Sequence, residues 1–517
     1  MSEESDVTKE KAFDEEREPR PEMPEAELLY EETQAALAIA SSQETATEEM
    51  AICWRFLLAR WERYLETHEL TEEFRPVLLE ANRAAGFCFF NLYQQDKQSR
   101  NVDRAVAAWR KAVRLSPPDA PELPKLLNVL SIALSQQYAH THDLPFLDSA
   151  VEFLEQALKL TSVDSQYRLH TLNNLAAMLR LRYLHTKDLA DQNRAILLYG
   201  QLVEHTPLDD LELPMYLHYL SSALIERFRV THNIEDLNRA IRAGQEIRET
   251  VEESPLFRPD YLRDLARGLT MRFEESQDAS DLAESIAAWQ TLVDMLPEQS
   301  PDYLPALISL YEGLRKRFDM SGDEMALQRA IGALQQFVKC APPGYPNRLA
   351  CMTLLHEGML VRFASSEKLE DLDAAIRTWE QFLDTTPIES TDFLCYLNYL
   401  SHALNLRYKH GGCEADLERL IHLLEQAVEL AAPGSPMLLY SLNNLASGLA
   451  TRYQHHNTLA DLERAISLLE RALGEIKEEA NAPERAELMK GLGRLYQRRY
   501  EHTENLEDLE RAAHLLE

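Results

Sequence analysis

The sequence predicts an all-α fold, an α-solenoid of about ten helix–turn–helix hairpins behind an N-terminal helical cap. Three observations carry that prediction. An aromatic residue recurs at Tyr93, Tyr138, Tyr183, Phe228, Phe273, Phe318, Phe363, Tyr408, Tyr453 and Tyr500, with eight steps of 45 residues and a last step of 47. A small residue keeps the same step at Ala105, Ala150, Ala195, Ala240, Ser285, Ala330, Ala375, Ala465 and Ala512, with Leu420 the one large exception. Within one unit, Leu172, Leu175, Ala176, Leu179 and Tyr183 follow the i, i+3, i+4, i+7 spacing of an amphipathic helix. Ala195, Ile196, Tyr199 and Leu202 repeat that spacing beyond the polar break HTKDLADQ, so each unit is a hairpin of helix A and helix B. Each hairpin can bury its apolar face only against its neighbours.

Length and composition bound the rest. A chain of 517 residues suggests several globular domains, but the fixed period overrides that prior. Hydrophobic content is an ordinary 45%, and no run approaches the ~18 apolar residues of a membrane span. The net charge of −33 argues against nucleic acid and anionic membranes, which require a basic surface. It is compatible with basic or neutral partners, and equally with the plain solubility of a long exposed rod. Cys53, Cys88, Cys340, Cys351, Cys395 and Cys413 are scattered and form no C-x-x-C pair, as expected of a reduced chain. With no apolar signal core and no basic nuclear cluster, the expected location is the cytoplasm.

Taken in order, residues 1–25 are dense in Glu and Asp and read as a disordered acidic tail. Residues 26–75 read as the cap, with helices over Ala26–Ser42 and Thr47–Glu66; Trp54 and Trp61 give the second helix a face for the first hairpin. The hairpins occupy 76–517, with helix A about sixteen residues and helix B about fourteen. Before helix B stand Asp143, Asp188, Asn233, Asp278, Asp323, Thr458 and Asn505, N-cap types whose oxygens accept free helix N–H groups. Asp191, Asp236, Asp281, Asp461 and Asp508 follow three residues later, the spacing of a capping box and a charge suited to the positive helix end. Pro117, Pro207, Pro297, Pro342 and Pro387 stop helix B. The two extra residues of the last step fall in the linker near Glu478–Pro483. The last helix B is cut short, leaving Leu515 and Leu516 at an open edge that a further segment, a partner or a second copy would cover.

These columns resemble the tetratricopeptide repeat. Leu172, Leu175, Ala176 and Leu179 match its helix A; Ala195, Tyr199, Leu202 and Pro207 match its helix B, with Trp109, Trp289 and Trp379 in the Tyr199 column. The departure is length, 45 residues against the usual ~34, with about seven extra residues in helix A and its loop and about four after the proline. The resemblance implies a right-handed superhelix whose inner wall is made by helix A. The variant R-Y/F-x-H-T-x-D-L-x-D-L-x-R-A-I looks like long-repeat arrays that precede caspase-like CHAT protease domains. No such domain lies in this sequence.

Four sets of residues invite a functional reading. Arg182, Arg227, Arg272, Arg317, Arg362, Arg407, Arg452 and Arg499 each precede the anchor aromatic; they bond helix ends and meet the acidic column, or else form a phosphate- or carboxylate-binding stripe. His140, His185, His410, His455 and His502 follow the anchor by two, in loops about ~10 Å apart, too far for a shared zinc. On the helix A wall, the family's use of Asn to hold an extended peptide backbone implies a peptide-binding role for Asn128, Asn173, Asn398 and Asn443, with His218, Arg180, Arg267 and Arg315 beside them. The alternative is a solvated or locally packed face. His410-Gly411-Gly412-Cys413 lies in a loop without a partner motif, and no phosphate-binding glycine loop or H-E-x-x-H occurs.

The expectation is therefore non-enzymatic, with no cofactor and no metal: a scaffold that binds a peptide or protein segment in its groove. The alternatives are the sensor arm of a CHAT protease supplied in trans or missing from this chain, and a module that self-associates through its C-terminal hairpin.

Overall fold

The computed structural model describes residues 25–42, 46–162, 165–250, 258–475 and 482–516. Among them are 22 helices and no strand, an all-α helical solenoid. The acidic tail lies outside the described residues except for Glu25, as does the stretch around Glu478 that carries the two extra residues. No helix among the described residues is long and apolar enough to cross a membrane.

Two helices come first, α1 (Glu25–Ser42) and α2 (Glu48–Leu65). The first five hairpins are α3 (Arg75–Asp96) with α4 (Ser99–Leu115), α5 (Leu123–Thr141) with α6 (Leu144–Leu160), α7 (Gln166–Thr186) with α8 (Leu189–His205), α9 (Leu213–Thr231) with α10 (Ile234–Thr250), and α11 (Arg258–Ser276) with α12 (Ala279–Met295). The next five are α13 (Tyr303–Ser321) with α14 (Glu324–Cys340), α15 (Arg348–Ser366) with α16 (Leu369–Thr385), α17 (Thr391–Gly411) with α18 (Glu414–Leu430), α19 (Pro436–His456) with α20 (Leu459–Glu475), and α21 (Ala482–Thr503) with α22 (Leu506–Leu516). The chain divides into two compact units, Met1–Gly268 and Leu269–Glu517.

Both helices are longer than the sequence suggests. Helix A runs to 22 residues in α3 and 19 in α5, and helix B has 17 in α4 through α20. The extra residues of the long repeat extend helices instead of loops. The polar break shrinks to two residues, because the first of them turns left-handed. Lys97, His142, Lys187, His232, Gln277, Gly322, Glu367, Gly412, Asn457 and Glu504 all have positive φ. Each donates its N–H to the carbonyl of the anchor aromatic four residues earlier, as Lys187 does to Tyr183 at 2.7 Å. This αL closure satisfies a free carbonyl and reverses the chain at once. Only Gly322 and Gly412 adopt it without a Cβ penalty.

Side chains then open helix B. Asp188, Asp278 and Asp323 accept from the N–H two residues on, at 2.9 to 3.1 Å; Asn233 and Asn505 do the same. Asp143 makes no such bond. The capping boxes are absent. The N-cap N–H is taken by a hydroxyl two residues before it, Thr186 for Asp188 and Ser276 for Asp278, both at 3.2 Å. After helix B, each column proline opens a hydrogen-bonded turn, such as Asp210 N–H to Pro207 O at 3.1 Å.

The small column is a close-approach column. Ser131 Oγ reaches Ala150 O, and Ser221 Oγ reaches Ala240 O, both at 3.1 Å, which a larger residue would prevent. Leu420 escapes this limit because Gly448 faces it: a Cβ there would stand 2.9 Å from Leu420 Cδ1.

Candidate functional site

The arginine column is a structural ladder. Arg182 grips Asp191 with two bonds of 2.7 Å and reaches Asp148 of the preceding hairpin at 3.0 Å. The same two-pronged grip joins Arg227 to Asp236, Arg272 to Asp281, Arg407 to Asp416, Arg452 to Asp461 and Arg499 to Asp508. Arg407 also reaches back to Asp373 at 2.6 Å and Arg452 to Glu418 at 2.8 Å. Planar guanidinium–carboxylate pairing ties helix A to its own helix B and to the hairpin before. Arg317 takes the N-cap Asp323 instead, since Ala326 stands in the acidic column there. In the second hairpin Gln137 replaces the arginine and donates to Asp103 at 2.7 Å. The paired carboxylates raise the Arg182 and Arg407 pKa values, and the Arg499 hydrogen bond lowers that of Asp508.

The histidine column also serves stacking. His140 Nε2 and the Tyr93 hydroxyl lie 3.0 Å apart, as do His185 Nδ1 and the Tyr138 hydroxyl. His410 meets Phe363 edge-on, and His455 meets Tyr408 likewise. Each imidazole rests on the anchor ring of the preceding hairpin, which accounts for its regular spacing.

The asparagines separate into two groups. Asn128 is buried; its Nδ2 donates to Pro124 O and Thr171 Oγ1, and its Oδ1 accepts from Asn174 at 3.1 Å. Asn398 is buried and exchanges hydrogen bonds with Ser441. Both amides are consumed in joining one hairpin to the next, which removes them from the peptide-binding set. Asn443 is exposed, and Asn173 is half-buried with Oδ1 unpartnered.

Three of the other candidates converge in the first unit, on the helix A faces of α7, α9 and the opening of α11. Arg180 bonds Glu226 at 2.8 and 3.2 Å and Ser222 at 2.6 Å. Burial is the largest influence and opposes its charge, but the Glu226 hydrogen bond together with the charges of Glu226, Tyr199 and Asp264 outweighs it and raises the pKa. His218 Nδ1 and Asp264 Oδ2 face each other at 3.2 Å without hydrogen-bond alignment. Arg267 stands 3.9 Å from Asp264. Burial first, then Arg229, lowers the Arg267 pKa. Arg315 belongs to the second unit, where it pairs with Asp319 at 3.0 Å and covers the Phe318 ring.

Residues 438–478 match the family model of the tetratricopeptide repeat. They cover most of α19 and all of α20, one hairpin whose anchor aromatic recurs through the other nine, whose arginine recurs in seven of them and whose alanine recurs in all but the fifth and eighth. That hairpin is similar to a tetratricopeptide repeat. Among solved structures the chain is similar to that of Naa15/Naa10 bound to HypK-THB, with 16% identity over 94% of this chain and 70% of that one, at a TM-score of 0.32. A Podosopora anserina putative kinesin light chain with nearly identical TPR-like repeats shares 23% identity over 42% of this chain and 96% of that one, at a TM-score of 0.28. The P58(IPK) TPR domain shares 12% identity over 83% and 99% of the two chains, at a TM-score of 0.23. No curated protein matches the sequence.

Asp264, Glu226 and Gln192 are the members of the first-unit cluster that no repeated motif of the sequence points to. Gln192 is fully buried, donates to Ala223 O and leaves its own Oε1 unpartnered. Glu226 and Asp264 lie in no repeated column, Glu226 corresponding to Leu181 and Met271 in the adjacent hairpins, whereas Gln192 breaks a leucine column that includes Leu147 and Leu237. The only signal that could have found them is that failure to repeat.

Proposed function

We propose that the protein is a non-enzymatic protein-interaction scaffold, and that the helix A faces of the third to fifth hairpins bind an extended segment of a partner protein. The observation that carries this reading is the polar set gathered there: half-buried Asn173 and His218, Arg267 beside Asp264, and the Arg180–Glu226 pair. A peptide backbone offers alternating N–H donors and carbonyl acceptors, which amide, imidazole and guanidinium side chains can meet. Arg267, drawn down in pKa and 3.9 Å from its nearest carboxylate, gains most from an acceptor on that segment.

The test is selection of displayed random peptides on the full chain, followed by affinity measurement with Asn173→Ala, His218→Ala and Arg267→Ala. Selected peptides should lose at least about tenfold in affinity, roughly 1.4 kcal/mol, with one or more of these variants. Exposed Asn443→Ala should leave the affinity unchanged. Unchanged affinity in all three first-unit variants, with helical content intact, would remove this face from the proposal.

A further inference from the structure

Six residues before the anchor, helix A carries a position that stays open to solvent between two buried neighbours. In the first unit it is filled in turn by Phe87, Ile132, Ala177, Ser222 and Arg267. The column grades from aromatic through small to cationic over five hairpins. The helices that carry it touch at every step. The Tyr93 hydroxyl donates to Gln136 at 3.0 Å, Asn174 to Asn128 at 3.1 Å and Arg180 to Ser222 at 2.6 Å, while His218 faces Asp264 at 3.2 Å. The five positions therefore form one strip, with steps of about 8–10 Å.

The first end of the strip is an aromatic shelf. Phe87 is 42% exposed, and its ring meets Trp109 edge-on with centroids 5.2 Å apart. Phe90, one turn on, packs on the same indole at 5.5 Å. Trp109 is fully buried and donates its N–H to Arg83 O at 3.2 Å, which fixes the ring beneath both. The shelf is held in place before any ligand arrives, so little ordering cost opposes the burial of an apolar residue on it. The far end is cationic, in a chain of net charge −33. Arg267 lies there with exposed Arg229 of the neighbouring helix close enough to act on its charge. Glu226 is gripped by Arg180, and Asp264 stands 3.9 Å from Arg267.

We propose that the partner segment carries a large apolar residue for the Phe87 shelf and a carboxylate for Arg229 and Arg267, about 9–12 residues of extended chain apart. This rests on the reading above that the face takes an extended segment, and it adds the chemistry of the two ends. Ala177 and Ser222, small and midway, leave the segment's backbone room to lie close to the helices. A carboxylate laid on the shelf would lose water without gaining a donor, so the strip also sets the direction in which the segment lies.

The experiment is selection, on the full chain, of displayed random peptides long enough to cross five hairpins, followed by fluorescence anisotropy titration of the synthesised peptides. Selected peptides should share a large apolar residue and an Asp or Glu about 9–12 residues apart. Phe87→Ser installs the residue type that Ser222 supplies in the same column, and so should fold. It should weaken the peptides at least about fivefold and remove their preference for the apolar residue over serine. Arg267→Gln should remove their preference for Glu over Gln, and Arg229→Gln should reduce it. Peptides weakened by Asn173→Ala and His218→Ala, yet bound by the Phe87→Ser and Arg267→Gln chains with both preferences intact, would overturn this inference and leave the interaction face standing. Peptides indifferent to all these variants would remove the face, and this inference with it.

Discussion

The helix A faces of the two units meet one packing requirement with different chemistry. Seven residues before the anchor, the first unit has Gly86, Ser131, Ala176, Ser221 and Ala266. The second has Tyr311 and His356 before it returns to Ser401, Ala446 and Gly493. Where the residue is large, rings fill the face. His356 Nε2 lies 2.9 Å from His402 Nδ1, stacks on Tyr399 at 4.6 Å and packs near Trp379 at 5.9 Å. The Tyr399 hydroxyl meets Thr353 Oγ1 at 2.8 Å. Where the residue is small, longer charged side chains cross the face, as Arg180, Glu226 and Asp264 do.

An arginine that both units carry at the same repeat position, buried only in the second, should separate them most strongly. Arg348 lies 2.7 Å from Asp392 and also bonds Val338 O and the Tyr396 hydroxyl, all in buried surroundings. Arg168, its counterpart four repeats earlier, bonds only carbonyls, Leu158 O and Thr161 O. Arg348→Met leaves the buried Asp392 charge unpaired and should cost about 3–5 kcal/mol. Arg168→Met should cost about 1 kcal/mol. Urea denaturation of both variants checks the gap, and equal losses would break the comparison.

Acidification should act on the ring-filled face next. Burial, with His402 second, lowers the His356 pKa from 6.5 to about 3. His402, itself lowered by burial and then Lys409, is the titratable neighbour bonded to it. A base with a depressed folded pKa binds its proton more readily when unfolded. Its contribution therefore falls as pH drops from about 6.5 towards 3, by about 1.4 kcal/mol per pH unit. His356→Ser, the residue type of Ser401, should flatten that slope in urea midpoints measured between pH 7 and pH 5. A slope identical to that of the parent chain would show that the imidazole pair does not set it.

Two glycines of the same column sharpen the contrast further. A Cβ on Gly86 would stand 2.3 Å from Nε1 of the fully buried Trp109. A Cβ on Gly493 would meet Leu516 Cγ at 2.8 Å, but Leu516 is 46% exposed and free to move. Gly86→Ala should cost about 1–3 kcal/mol and Gly493→Ala clearly less, read as shifts in thermal midpoint. The smallest effect is a gain. Gly200 in α8 and Gly332 in α14 have nothing within 4 Å of an added Cβ. Alanine at either should stabilise by about 0.5–1 kcal/mol, equally in both units, because the solvent faces of helix B do not share the helix A difference.

The ten hairpins were legible because each rests on residues that repeat. The anchor aromatics, the small column and the prolines all do the work their spacing implies. The turn was harder to read: eight of its ten αL residues are not glycine, so no residue type marks it. The acidic column suits both a capping box and the arginine pairing that the sequence also implies, and the orientation of the carboxylate gives it to arginine. Asn128 and Asn398 looked like Asn173 and Asn443, yet the first pair is buried and the second is not.

By itself, the sequence determined the period, the alternation of two helices and the apolar faces, because these depend on neighbours within one or two turns of the same helix. The tertiary structure alone decided which polar groups remain open. Asn128 is satisfied by Thr171 and Asn174, and Asn398 by Ser441, residues that arrive only when the next hairpin stacks. Asp264 and His218 meet across the same kind of interface at 3.2 Å without hydrogen-bond alignment. The physical reason is that a hydrogen bond needs an alignment of atoms that no column of residue types specifies.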